Sequence, residues 1–128
     1  METKMRVLIL EDLPTDAELA IKEIARVAPH CEFLVVETRR EFEEALACFR
    51  PDAVISDYKL PSFDGMTALE LVQRQDPDLP FIIVTGSINE ETAVECMKAG
   101  AWDYVIKEHL RRLGPAFLNA LNQKQLRK

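Results

Sequence analysis

Five short apolar runs, each followed by a stretch with helical spacing, restrict the possible folds of this chain more than any other feature. Each run is compact and β-prone, and therefore predicts a strand. The runs are apolar throughout, without alternating polar residues, which is typical of a parallel sheet covered on both faces. The predicted strands are residues 7–10, 33–36, 53–56, 81–85 and 104–106.

The stretches between the runs carry the start and stop signals of helices. Thr38 and Glu41 form a capping box at the start of the second stretch. Gly100 suits a left-handed cap after the fourth stretch, and Pro115 suits the first position of the last helix. The predicted helices are residues 15–28, 38–49, 67–74, 89–98 and 115–126. Five β-α units with right-handed crossovers predict an α/β, doubly wound, three-layer sandwich.

The composition restricts the class of protein further. The chain has 128 residues, the length of one domain, and no apolar run approaches the roughly 20 residues that a membrane helix needs. The formal charge of −6 argues against nucleic-acid binding, and the polar residues 1–6 lack a signal-peptide pattern. The three cysteines lack zinc or disulfide spacing and predict reduced thiols. We therefore expect a cytoplasmic domain without membrane or nucleic-acid partners.

Polar side chains collect where the predicted strands end. Glu11 and Asp12 follow the first strand, and Asp57 follows the third. Thr85 closes the fourth strand, and Lys107 follows the fifth. Ligands of open parallel sheets bind outside the carboxyl ends of the strands, so these five side chains form the candidate site.

The three carboxylates would repel one another strongly if they were left alone. A hard divalent cation removes this repulsion, and Mg²⁺ fits best because it takes one or two carboxylates, retained waters and a phosphate oxygen. The alternative for Glu11 and Asp12 is that they are solvated loop residues or helix-start charges near Asp16, since acids commonly precede helices. Asp57 comes from a separate strand and favours the cation site.

Thr85 and Lys107 indicate a second ligand. A phosphoryl group needs charge neutralisation and oriented donors, which an ammonium and a hydroxyl on neighbouring strands can supply. Asp57 is then the best candidate nucleophile, because carboxylates form acyl phosphates. The alternatives are a surface lysine and ordinary strand usage of threonine. The sequence has 4 glycines and neither a P-loop nor G-x-G-x-x-G, which argues against a nucleotide site.

Four segments occur in an order and spacing that match a known family. They are residues 10–12 (LED), 57–65 (DYKLPSFDG), 85–87 (TGS) and 99–107 (AGAWDYVIK). Together they resemble the CheY-like receiver domain of two-component response regulators, over about residues 4–123. The resemblance implies that residues 1–128 form a single receiver domain with a flavodoxin-like fold. Its parallel sheet would have five strands in the order 2-1-3-4-5, with helices on both faces.

The resemblance also implies a ligand set and a chemistry. Asp57 would accept a phosphoryl group from a phosphohistidine of a sensor histidine kinase or a histidine phosphotransfer protein. Asp12, Asp57 and the backbone carbonyl of Lys59 would bind Mg²⁺ directly, and Glu11 would act mainly through a coordinated water. Lys107 would pair with the phosphoryl oxygens.

The resemblance further implies a switch. Thr85 would move towards the phosphoryl group, and Tyr104 would swing inward behind it. Plain packing is the alternative for Tyr104. A downstream protein partner would dock on the face made by the fourth helix, the fifth strand and the fifth helix.

One departure from the family follows Lys107. The family usually has a cis-linked proline there, whereas Glu108 follows here, and residues 109–114 resemble an insertion before the last helix. A cis bond without proline costs about 2.5–4 kcal/mol. The bond is therefore either trans, with a rebuilt loop, or cis and strained, and both would alter the partner face.

The sequence thus predicts a phosphorylation-activated switch, which would catalyse its own aspartyl phosphorylation and dephosphorylation without being an enzyme in the usual sense. One alternative is a phosphate-independent interaction module that keeps the receiver fold. Another is a hydrolase of the aspartyl-phosphate type, which would need an acid where Lys59 stands. The end of the chain is basic and predicts either a solvated face or a surface for an acidic partner. Its basic residues are Arg111, Arg112, Lys124, Arg127 and Lys128.

Overall fold

A parallel sheet of five strands forms the centre of the molecule, in a computed structural model that describes residues 4–61, 63–86 and 89–126. The strands are β1 (Arg6–Leu10), β2 (Glu32–Val36), β3 (Ala53–Asp57), β4 (Phe81–Thr85) and β5 (Asp103–Ile106). Their order across the sheet is β2-β1-β3-β4-β5, and every neighbouring pair is parallel. The doubly wound fold, the strand order and all five predicted strands are confirmed, with each strand end within one residue of its prediction.

Two layers of helices cover the sheet. The helices are α1 (Pro14–Val27), α2 (Arg39–Cys48), α3 (Gly65–Gln75), α4 (Glu90–Lys98) and α5 (Leu113–Leu126). α1 and α5 pack on one face of the sheet, where Ile24 and Phe117 are fully buried. α2, α3 and α4 pack on the other face, where Phe42 and Leu69 are fully buried. The three-layer sandwich is therefore confirmed.

The coverage of the sheet is incomplete at one edge. β3 and β4 are buried along their whole length, as expected for apolar strands between two helix layers. β2 lies at the edge, and its Leu34 and Val35 are 37% and 39% exposed. An apolar run therefore predicted the strand correctly, but it did not distinguish an edge strand from a central one.

Local signals fix several helix ends. The capping box is present, since Thr38 Oγ1 accepts from the Glu41 N–H at 3.1 Å and Glu41 Oε1 accepts from the Thr38 N–H at 3.1 Å. α3 begins at Gly65, two residues before its predicted start, because Asp64 Oδ1 accepts from the Thr67 N–H at 2.8 Å and caps the helix. Gly100 has a φ of 112°, which confirms the predicted cap after α4.

The segment after β5 differs from the prediction. A 3₁₀ helix occupies Lys107–Arg112, interrupted at the non-helical His109, and α5 follows at Leu113 without a break. Pro115 is thus the third residue of α5. The helix predicted near this proline is present, but Pro115 does not occupy its first position. Any position in the first turn suits proline, because the N–H groups there have no partner within the helix. No cis peptide bond occurs in the described residues, so the Lys107–Glu108 bond is trans, and the 3₁₀ helix follows it directly.

Some features named from the sequence lie outside the described residues. These are Ser62 and Ser87 of the family-like segments and the basic residues Arg127 and Lys128. Within the described ranges, no helix has the length and apolar character needed to cross a membrane.

Candidate functional site

The carboxyl ends of the central strands bring the predicted site residues together. β1 and β3 are neighbours in which Leu10 pairs with Ser56, so Glu11 and Asp57 are the next residues on adjacent strands. Asp57 pairs with Val84, and Thr85 follows at the end of β4. The order of the strands therefore brings residues that are distant in the sequence together at the carboxyl edge of the sheet, as the strand-end pattern predicted.

Three carboxylates lie close enough to share one cation. Glu11, Asp12 and Asp57 each offer an oxygen, and the three oxygens all lie within 4.8 Å of one another. Glu11 and Asp57 are 5% and 8% exposed, so water screens their charges poorly. Oxygen donors of this kind, arranged around a small gap, are the donor set that hard divalent cations take.

The Lys107 ammonium connects this cluster to α1. Its Nζ donates to Asp57 Oδ2 at 3.0 Å, to Glu11 Oε2 at 3.2 Å and to Asp16 Oδ2 at 2.7 Å. Lys107 lies at the start of the 3₁₀ helix, directly after β5, and its side chain is 22% exposed. The single positive charge of Lys107 therefore contacts three carboxylates, and the cluster keeps an excess of negative charge.

The environment of Glu11 raises the pKa of its carboxyl group. Burial, together with the nearby charge of Asp57, raises its pKa from the ordinary 4.5 to about 7. The Leu13 N–H, which donates to Glu11 Oε1 at 3.2 Å, and the Lys107 charge act in the opposite direction. The site therefore holds Glu11 close to its protonation point near neutral pH.

The pKa of the Lys107 ammonium is also raised. Burial alone would lower the pKa of its ammonium, but hydrogen bonds to Asp16 and Asp57 and the charges of Asp57 and Glu11 outweigh that effect. The net result is a pKa above the ordinary value, so Lys107 is positively charged at every physiological pH.

Backbone groups of the loop after β3 hold the Asp57 side chain and shape the loop around it. The Lys59 N–H donates to Asp57 Oδ1 at 3.3 Å, and the Gly65 N–H donates to the Tyr58 carbonyl at 2.8 Å. α3 approaches so closely that a Cβ at Gly65 would lie 2.6 Å from the Asp57 carbonyl oxygen. Glycine is therefore required at the start of α3 for this loop to keep its shape.

Thr85 and Tyr104 are coupled to each other. Thr85 is 3% exposed at the end of β4, and Tyr104 lies half-buried on the neighbouring β5. Burial raises the pKa of the Tyr104 phenol, whereas a hydrogen bond with the Thr85 side chain lowers it. The two residues predicted to form a switch are thus in contact.

Two residues of the site were missed by sequence reasoning. Asp16 lies outside the strand-end pattern, yet it makes the shortest of the three contacts to Lys107. Gly65 was named as part of a motif without a role. An acid four residues after Asp12, in the first turn of α1, was the available signal for Asp16.

A comparison with family models matches residues 7–116 to the response regulator receiver domain. Among curated relatives, the C4-dicarboxylate transport transcriptional regulatory protein DctD of Pseudomonas aeruginosa is 30% identical over 106 residues, which is 83% of this chain and 22% of that protein. The regulatory protein LuxO of Vibrio cholerae is 37% identical over 73 residues, covering 57% of this chain and 16% of LuxO. The chain thus spans about a fifth of the length of these relatives.

Solved structures agree with the family match. The response regulator receiver domain protein of Clostridium thermocellum is 29% identical, with a TM-score of 0.82 over 97% of this chain and 99% of the other. The CheY-like receiver domain protein of Methanospirillum hungatei has a TM-score of 0.86 over 98% of this chain and 100% of the other. At 23% identity, this second structure supports the fold alone.

The matched family consists of phosphorylation-activated signalling switches, which bind Mg²⁺ in an acidic pocket and interact with kinases or phosphotransfer proteins and with downstream effectors. The comparisons give no support to the phosphate-independent module. The family model covers most of this chain, and the fold and the acidic pocket agree with it. The chain therefore belongs to the receiver domains of response regulators.

Proposed function

We propose that Asp57 accepts a phosphoryl group from a phosphohistidine of a sensor histidine kinase or a histidine phosphotransfer protein. One observation carries the proposal: Asp57 Oδ2 lies 3.0 Å from the Lys107 ammonium, beside two further carboxylates. A carboxylate placed between an ammonium and a cation-binding cluster can receive an anionic donor that acids alone would repel. We take residues 1–128 to work as one receiver domain with a core of about residues 4–123.

Glu11, Asp12 and Asp57 fit the donor set of Mg²⁺, and the approach of their oxygens to within 4.8 Å of one another supports that assignment. Asp12 and Asp57 would hold the ion directly, with the Lys59 carbonyl as a further ligand and Glu11 acting through a water. The raised pKa of Glu11 supports the same assignment, because it reflects a buried cluster short of positive charge. When bound, Mg²⁺ supplies charge neutralisation at a phosphoryl oxygen.

In the transfer step, an Asp57 carboxylate oxygen attacks the phosphorus and forms the new P–O bond. The P–N bond to the donor imidazole breaks, and the imidazole nitrogen keeps the electron pair. Lys107 stays protonated throughout and neutralises charge on a phosphoryl oxygen. The Thr85 hydroxyl donates a hydrogen bond to a second oxygen of the phosphoryl group. In dephosphorylation, a water oxygen attacks the phosphorus, the P–O bond to Asp57 breaks, the Asp57 carboxylate is restored and inorganic phosphate leaves. The same residues would then serve both the phosphorylation and the dephosphorylation of the domain.

The readout of phosphorylation would run through Thr85. If Thr85 turns towards the phosphoryl group, its hydrogen bond with Tyr104 changes, and Tyr104 lies on β5 beside α4 and α5. The face made by α4, β5 and α5 would then bind a downstream protein partner differently. A near-complete switch requires about 5.5 kcal/mol of preference for the active state.

Labelled acetyl phosphate with Mg²⁺ tests the proposal. We expect the wild-type protein to incorporate the label, and Asp57→Asn to incorporate none. Asp64→Asn is a matched control, because Asp64 caps α3 nearby and carries the same charge, and it should still be labelled. Equal labelling of wild type and Asp57→Asn would overturn the assignment.

A further inference from the structure

We propose that Asp16 is a positioning residue for phosphoryl transfer, which holds the Lys107 ammonium in place while the other two carboxylates turn to the cation and the phosphoryl group. This inference rests on the function proposed above. It concerns a residue of α1 that the strand-end pattern did not include. Asp16 acts through Lys107 and does not itself contact the reacting atoms.

The geometry around Lys107 gives the first reason. Asp16 Oδ2 lies 2.7 Å from Nζ, closer than Asp57 at 3.0 Å or Glu11 at 3.2 Å. A distance of 2.7 Å is at the short end for a charge-assisted hydrogen bond. The pair is also partly shielded from water, with side chains that are 22% and 28% exposed.

The count of donors gives the second reason. An ammonium has three N–H groups, and the three carboxylates use all of them. A phosphoryl oxygen can be contacted only if at least one carboxylate gives up its bond. Glu11 and Asp57 belong to the cation cluster of the described residues, whereas Asp16 lies outside that cluster. Asp16 is therefore the partner that can keep its bond when the other two are redirected.

The position of Lys107 gives the third reason. Its backbone begins a 3₁₀ helix, and its long side chain has four rotatable bonds that the sheet does not fix. Asp16 stands in the first turn of α1, directly after the loop that carries Glu11 and Asp12. Its contact to Lys107 therefore ties the ammonium to the same segment that provides two carboxylates of the cluster. This link sets where the positive charge lies relative to the attacking oxygen.

Phosphorylation rates test the inference. Asp16→Asn keeps the size of the side chain and removes its charge, and Glu18→Gln removes a charge from an exposed position on the same helix. The rate of labelling by acetyl phosphate is measured at Mg²⁺ concentrations shown by titration to saturate each variant. We expect the maximal rate to fall about tenfold in Asp16→Asn, because a displaced catalytic group of this kind loses one to two orders of magnitude. Glu18→Gln should remain within about twofold of wild type.

A second measurement needs no phosphoryl donor. Urea unfolding of wild type, Asp16→Asn, Lys107→Met and the double variant, all in EDTA, forms a double-mutant cycle. We expect clear non-additivity, since each substitution removes the same contact. If Asp16 acted only as a charge at the start of the helix, without contacting Lys107, the changes in the free energy of unfolding would be additive. Asp16→Glu serves if Asp16→Asn does not fold, and it should recover part of the rate by restoring the carboxylate.

The outcomes separate the two proposals. An unchanged or faster rate in Asp16→Asn, an equal loss in Glu18→Gln, or an additive cycle would overturn the role of Asp16. Wild-type protein that takes no label from acetyl phosphate with Mg²⁺ would instead overturn the proposed function. A slowed Asp16→Asn, an unaffected Glu18→Gln and a non-additive cycle together support the positioning role.

Discussion

Glu11 is a carboxylate that the fold places where its charge is costly. It is 5% exposed and beside Asp57, and its pKa rises from 4.5 to about 7. The folded state therefore binds the Glu11 proton more tightly than the unfolded chain does. By linkage, this residue lowers the stability of the metal-free protein as the pH rises from about 4.5 to 7.

Glu11→Gln should remove this loss of stability at neutral pH, because the glutamine side chain carries no charge. In EDTA at pH 7.5, we expect the free energy of unfolding to rise by up to about 3 kcal/mol, since each pKa unit corresponds to about 1.4 kcal/mol. Near pH 4.5 the gain should almost vanish, because Glu11 is then mostly protonated in the folded state. Urea unfolding at both pH values measures the difference. A gain of equal size at both would show that repacking, and not charge, is responsible.

Gly65 occupies a position that has no room for a side chain. A Cβ there would meet the backbone oxygen of Asp57 at 2.6 Å, and backbone cannot give way as a flexible side chain can. Gly65→Ala should therefore lower the free energy of unfolding by about 1–3 kcal/mol.

Gly86→Ala is the matched control for this substitution. Among the described residues, a Cβ at Gly86 meets no atom within 4 Å, so the variant should stay within about 0.5 kcal/mol of wild type. Chemical denaturation of both variants gives the comparison. Equal stability of Gly65→Ala and Gly86→Ala would show that the Asp57 loop adapts without cost.

The residues of the site were predictable to the extent that the sheet alone determines them. Glu11, Asp57 and Lys107 each end a strand or follow one, and parallel strands in a fixed order must bring those ends together. Asp16 could not be predicted in the same way, because its contact depends on the rotation of α1 about its own axis. The close approach at Gly65 depends on where α3 packs, which no local pattern specifies.

At the scale of elements, the segment Lys107–Arg112 forms a 3₁₀ helix where the resemblance implied a proline after Lys107. Lys107 has helical backbone angles here, as the first residue of the 3₁₀ helix. A proline at position 108 would push the preceding residue out of the helical region, because its Cδ clashes with the backbone of that residue. The Glu108 departure and the 3₁₀ helix are therefore consistent with each other.

Glu108→Pro should consequently harm this chain, although it restores the family pattern. We expect a loss of about 1–3 kcal/mol in the free energy of unfolding and a slower labelling by acetyl phosphate, because the Lys107 backbone must move. Glu108→Ala, which keeps the N–H and the backbone freedom, is the control and should behave like wild type. Stability and rate at wild-type levels in Glu108→Pro would mean that Lys107 does not need the 3₁₀ conformation.

The elements themselves were predicted unevenly, for physical reasons. The strands were predicted well because β3 and β4 are buried along their whole length, so most of their residues are apolar and polar ones stand only at their carboxyl ends. The capping box of Thr38 fixed the start of α2 from local chemistry alone. The start of α5 lies two residues before Pro115, because a proline fits any position in a first turn and the preceding 3₁₀ helix leaves no break in the chain.

At the scale of the whole molecule, the acidic site is assembled from the two ends and the middle of the chain. The hydrogen bonds of Lys107 to Glu11, Asp16 and Asp57 join residues that are 96, 91 and 50 positions apart. The apolar clusters on the two faces of the sheet provide the stability that keeps these like charges together. Folding therefore works against charge repulsion at this edge, and a cation that binds there should stabilise the whole fold.

Mg²⁺ should accordingly raise the global stability by mass action. At a free concentration ten times its Kd, the free energy of unfolding should increase by about 1.4 kcal/mol, provided that the unfolded chain does not bind the ion. Urea unfolding in millimolar MgCl₂ is compared with unfolding in EDTA and NaCl at equal ionic strength, so that general screening is cancelled. Asp12→Asn, which removes one ligand of the cluster, should lose most of the gain. A gain that NaCl reproduces, or that Asp12→Asn retains in full, would show that the stabilisation arises from screening and not from a site at Glu11, Asp12 and Asp57.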